Sequence, residues 1–97
     1  MIQLTHDPID THQLTESVRD HAAGAVVLFL GTVRELTDGR RTLALDYESY
    51  PEMATAKLEE LVENARSQWP ITACGIVHRL GRLELGDVSD AVAVSCC

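Results

Sequence analysis

The sequence predicts an α+β domain: a mostly antiparallel sheet carrying two helices in the order β-α-β-β-α-β-β. Three observations predict it. Residues 25–30, AVVLFL, form an apolar run between Gly24 and Gly31, as a buried strand does. Two stretches, one opening at Asp10 and one at Pro51, carry apolar residues at helical spacing behind a recognisable start signal. Segments 42–50, 71–81 and 91–95 carry the alternation or apolar density of strands. Strands and helices mixed in this way pack as helices laid on a sheet.

The elements follow in order. Met1 to Thr5 reads as a short edge strand, and His6-Asp7-Pro8 as a turn. Asp10 with Gln13 has capping-box spacing, and Ile9 with Leu14 fits the hydrophobic staple that fixes a helix entry. Leu14, Val18 and Ala22 continue one face, which predicts a helix of about three turns ending near Gly24. The run 24–34 is apolar on both sides, so it is expected to lie in the centre of the sheet, covered on both faces. Glu35 to Arg41 reads as a polar loop with Asp38-Gly39 as its turn signal. Thr42 to Tyr50 alternates, with Leu43, Leu45 and Tyr47 on one face, and predicts a half-buried strand. Pro51 suits the first position of a second helix. Ala54, Leu58, Leu61, Val62, Ala65 and Trp69 then form its apolar stripe, and Pro70 stops it. Ile71 to Gly81 is a further strand, Leu83 to Asp87 a short strand and turn, and Ala91 to Ser95 the last strand. A ferredoxin-like layout shares this order.

Ninety-seven residues make one small domain. Fifteen acidic residues against eight basic ones give a net charge of −7, which excludes the clustered cations of a nucleic-acid or anionic-membrane surface. A chain of this charge that handles an anion must gather its few cations locally. Seven of its eight bases are arginine, the eighth being Lys57. Cys74, Cys96 and Cys97 are odd in number and two are adjacent, so no disulfide framework is expected. The start of the chain lacks a leader pattern, and its apolar runs are too short to span a bilayer. These features fit a cytoplasmic protein.

Chemistry is sparse. The four histidines and three cysteines show no metal-ligand spacing, so neither metal nor cofactor is expected. The candidate site is the strand end Thr32-Val33-Arg34, where Gly31 lets another backbone or a ligand come close and Arg34 offers a planar, permanently charged fork to an anion. His78-Arg79 ends a second strand beside Gly81, so two arginine-bearing strand ends stand ready to converge on one anion. For both ends the simpler alternative is a packed histidine and surface ion pairs. Lys57 sits on an exposed helix face, without the burial or cationic neighbour that lowers a lysine's pKa.

Four segments in order, GAVVLFLGTVR at 24–34, LDYESYPEMA at 45–54, ARSQWP at 65–70 and IVHRLGRLELGD at 76–87, followed by AVAVS, resemble the catalytic (large) subunit of molybdopterin synthase. The resemblance implies an α/β-hammerhead fold. It implies a role in molybdenum cofactor biosynthesis, as the sulfurtransferase that turns cyclic pyranopterin monophosphate (precursor Z) into molybdopterin. It implies two kinds of partner: a ubiquitin-like small subunit, which carries sulfur as a thiocarboxylate on its C-terminal Gly-Gly, and a second copy of the large subunit. Thr32, Val33 and Arg34 match the family's substrate-binding strand end. The family's His-Arg pair and its two catalytic lysines would lie beyond Cys97, so the 97-residue chain is expected to be a C-terminally truncated or frameshifted member without catalytic residues of its own, or one whose site another polypeptide completes. The competing expectation is a non-catalytic, ferredoxin-like module that binds a small anion or dimerises.

Overall fold

In the computed structural model, residues 1–37, 40–41, 44–47 and 51–97 are described. The order is β1 (Ile2–Thr5), α1 (Thr11–Val18), β2 (Ala25–Thr32), β3 (Leu36–Thr37), β4 (Arg40–Arg41), β5 (Ala44–Tyr47), α2 (Pro51–Gln68), β6 (Ile71–Arg79), β7 (Gly81–Glu84) and β8 (Val88–Cys96). The α+β expectation holds, and the sheet is mixed but mostly antiparallel. Four strands form it in the order β1-β6-β8-β2, with β1 parallel to β6 and the other two pairings antiparallel. Strands β3 and β4 pair as a short hairpin where a loop was expected, and β5 pairs with β7. The Asp38-Gly39 turn signal lies outside the described residues, as do Leu43 and the end of the expected strand over 42–50. The ferredoxin-like alternative does not hold. Its sheet would place the last strand at an edge beside the first, whereas β8 is an interior strand between β6 and β2.

Helix α1 begins as its cap dictates: the Gln13 backbone N–H donates to Asp10 Oδ1 at 2.9 Å. It ends at Val18, earlier than the expected three turns, and the Arg19 N–H closes back on the Glu16 carbonyl. Leu14 and Val18 point into the sheet, where they join Val77, Ala91 and Ala93 in the core, with Ile9 packed alongside. Gly75 makes this approach possible, since a Cβ there would stand 2.7 Å from Leu14 Cδ1. The small residues of β8 do the same work: Ala91, Ala93 and Ser95 are fully buried in strict alternation with half-buried neighbours.

Helix α2 lies over β1 and β6 on the opposite face of the sheet. Its stripe is only partly covered: Ala54, Leu58, Val62 and Ala65 are half-buried, but Leu61 is 61% and Trp69 60% exposed. A second correction concerns β2. Instead of lying in the centre, it is an edge strand, and its apolar run is open: Val27 is 63% and Phe29 58% exposed. By register, Val27 and Phe29 stand beside Val94 and Val92 on the α2 side of the sheet. Because α2 sits over the other half of that face, nothing among the described residues covers them fully. Apolarity on both faces signals that a strand needs cover, but the cover need not come from the same stretch of chain.

Candidate functional site

Strands β1, β2 and β6 all run toward one rim of the sheet, where β8 begins. This rim brings together Arg79, the β7–β8 turn and the Thr32-Val33-Arg34 segment. At the end of β2 the pairing slips: Gly31 is opposite Asp90 but Thr32 is opposite Val88, so Ser89 is an extra residue on β8. Such a bulge bends the ladder and re-aims the residues beyond it. Gly31 is needed here because the Asp90 carboxylate lies across it, with its carbon 2.8 Å from the place of a Cβ. The close approach expected at Gly31 is thus made by a side chain of the same protein. Ser89 Oγ stands 2.9 Å from Asp90 Oδ1 and 3.2 Å from the Gly31 carbonyl oxygen, and can donate to either. The serine is buried, which favours a hydroxyl with partners at hand.

Past the bulge, Val33 is clamped by the β7–β8 turn. Its N–H donates to the Asp87 carbonyl at 3.0 Å, and its own carbonyl accepts from the Gly86 N–H at 2.9 Å. The side chain is buried at 4% exposure. Gly86 adopts φ +83, a conformation that other residues reach only with strain, and so shapes the turn to receive Val33. Thr32 and Arg34, on either side of this anchor, are exposed. Of the three candidate residues, then, Val33 holds the segment and its two neighbours present themselves at the rim.

The second candidate strand end reaches the same turn. Arg79 Nη1 lies 3.6 Å from Asp87 Oδ2, with the arginine side chain 19% exposed. The carboxylate thus faces one end of its guanidinium. His78 is half-buried and lines a cavity of about 610 Å³ between α2 and the sheet, together with Leu4, Leu58, Ile76, Asp90 and Val92. Lys57 is exposed on α2 at the edge of this cavity. Cys74 and Cys96 are half-buried and Cys97 is exposed, all three as free thiols. Among the described residues no cluster of metal ligands occurs, and no helix is long and apolar enough to cross a membrane. The turn residues Gly86 and Asp87 went unnoticed as site residues in the sequence, although their Gly-Asp pair marks a turn. Nothing local in the chain ties them to Val33, more than fifty positions away.

A family model described as "MoaE protein" matches residues 4–97. The chain belongs to the MoaE family. Among its curated relatives, the molybdopterin synthase catalytic subunit of Halalkalibacterium halodurans is 46% identical over 92 residues, a match covering 95% of this chain and 59% of that protein. The corresponding subunit of Bacillus subtilis is 38% identical over 93 residues, covering 96% and 59%. A crystal structure of molybdopterin synthase from Staphylococcus aureus superposes with a TM-score of 0.88 at 41% identity, covering 96% of this chain and 68% of that one. A MoaE protein from Burkholderia ambifaria matches at 33% identity with a TM-score of 0.83. The chain spans about three-fifths of the length of the curated relatives it matches. The MoaE assignment confirms the family resemblance.

Proposed function

We propose that this MoaE chain supplies the substrate-binding strand end of a molybdopterin synthase large subunit, in molybdenum cofactor biosynthesis. Its substrate is cyclic pyranopterin monophosphate, and the sulfur comes from the thiocarboxylate tail of a ubiquitin-like small subunit. The carrying observation is the clamp on Val33, which fixes the backbone immediately before an exposed arginine at the rim of the sheet. A guanidinium held this way binds two oxygens of a phosphate as a planar fork, with shorter and stronger hydrogen bonds than a neutral donor makes. Thr32, also exposed, adds a hydroxyl on the other side of the anchor. Fixing the backbone in advance lowers the ordering cost that binding would otherwise incur.

Within residues 1–97 these groups bind and orient the substrate; we assign no base or nucleophile there. Lys57 is exposed on α2, without the burial that activates a lysine as base or nucleophile. Assembly with a second copy follows the open β2 edge, whose apolar side chains and unpaired backbone groups suit strand pairing. The compartment we assign is the cytoplasm.

The reading is tested by calorimetry of the chain with cyclic pyranopterin monophosphate in the presence and absence of inorganic phosphate. The expected result is binding that phosphate competes away, because the fork grips the phosphoryl oxygens. Binding indifferent to a large excess of phosphate would exclude the rim arginine as the anion's partner.

A further inference from the structure

The turn that clamps Val33 is itself tied to a third strand. Asp87 accepts the Val33 N–H on its backbone carbonyl. Its own N–H donates to the Glu84 carbonyl at 3.1 Å, and its Oδ2 accepts from the Glu84 N–H at 2.9 Å, closing the turn on itself. The same carboxylate faces Arg79 at the end of β6. Among the described residues Arg79 Nε is buried without a hydrogen-bond partner, so this guanidinium is held at its Nη1 end by Asp87. A half-buried cation is stabilised by a carboxylate partner, and screening by salt weakens a partly buried pair less than an exposed one. The Arg82–Glu84 pair on β7 is the contrast, exposed at both ends.

We propose that the Arg79–Asp87 ion pair is a positioning device for the anion-binding strand end: it locks the β7–β8 turn to β6, and the turn in turn locks Val33 and aims Arg34. Asp87 and Arg79 are positioning residues and touch no substrate. The inference rests on the proposed role of Arg34. It also explains why the sequence places an arginine at the end of each of two strands. One reaches for the ligand and the other holds the turn that steadies it.

The test compares Asp87→Asn, Arg79→Gln and Arg79→Lys in the full chain, with Arg34→Ala alone and combined with Asp87→Asn. Asparagine keeps an oxygen for the Glu84 N–H and removes only the charge. Two quantities are read: affinity for cyclic pyranopterin monophosphate and hydrogen exchange at the Val33 and Gly86 amides. Expected are a loss of about three- to tenfold in affinity for Asp87→Asn and for Arg79→Gln, faster exchange at both amides, and substantial rescue by Arg79→Lys. Coupled residues do not add, so Asp87→Asn is expected to cost nothing further once Arg34 is alanine. Wild-type affinity in Asp87→Asn and Arg79→Gln, or an unchanged loss in the Arg34→Ala background, overturns the proposal. Should Arg34→Ala itself leave affinity intact, the anion-binding reading fails separately. The exchange data then decide alone: unaltered protection of Val33 rejects the device, and accelerated exchange upholds it.

Discussion

Gly86 shows how one residue's backbone freedom serves the site. Its φ of +83 lets the turn present an N–H to the Val33 carbonyl, and among the described residues, its chain neighbours aside, no atom lies within 4 Å of where a Cβ would stand. The cost of a side chain there is therefore conformational and not steric. Gly86→Ala is expected to destabilise the fold by about 1–2 kcal/mol, the ordinary cost of placing an L residue in the left-handed region. Chemical denaturation measures this, and a melt identical to wild type would show that the turn adapts. Gly31 is the opposite case, a glycine required by a neighbour's bulk. The sequence marked it as a place where another backbone or a ligand comes close, and a side chain comes close instead. What approaches, the Asp90 carboxylate, was not legible, because the pairing of residues 31 and 90 is a product of sheet register.

Among the elements, those whose signals are local were legible. The Asp10 cap sits at the start of α1 as its capping spacing requires, and Pro51 opens α2. The edge position of β1 also followed from the sequence. The elements misjudged were those whose surroundings decide them. Strand β2 carries an interior-like sequence at an edge position, while β8 is interior because it pairs with both β6 and β2, and its alanines at 91 and 93 let α1 pack directly on it. Hydrophobicity reports the need for burial, and only topology says what provides it. The Val33 clamp escaped for a related reason: two hydrogen bonds join residues that the chain brings together only after folding. The uncovered face of β2 makes a prediction at this scale. Val27→Lys together with Phe29→Lys, at the two most exposed apolar positions of the strand, is expected to abolish self-association without loss of the fold. Light scattering at tens of micromolar, roughly the range in which a weak dimer is still populated, should show a dimer for the wild type and a monomer for the variant. A monomeric wild type would remove β2 as an edge between copies.

Among the described residues the molecule is built on a four-stranded sheet with a helix over part of each face and one rim where three strands end, beside two short strand pairs. Its net charge of −7 does not by itself bar an anion, because arginines gather locally at this rim: Arg34 is exposed there, and Arg79 faces the Asp87 carboxylate of the turn. Membership of the MoaE family, with relatives named as molybdopterin synthase catalytic subunits, gives the rim its chemical context. The sequence showed the family through four dispersed segments and showed the strand end 32–34. That Arg79 faces Asp87, in the turn that clamps Val33, emerged only from the contacts. The central claim is that Arg34 is the ligand's fork, and calorimetry with cyclic pyranopterin monophosphate on wild type, Arg34→Ala and Arg34→Lys tests it most directly. A charge-assisted hydrogen bond is worth about 1.5–3 kcal/mol, so alanine is expected to weaken binding by roughly ten- to a hundredfold. Lysine should recover only part of the loss, since an ammonium cannot span two oxygens. Equal affinities across the three proteins, with matching thermal melts, would contradict the account.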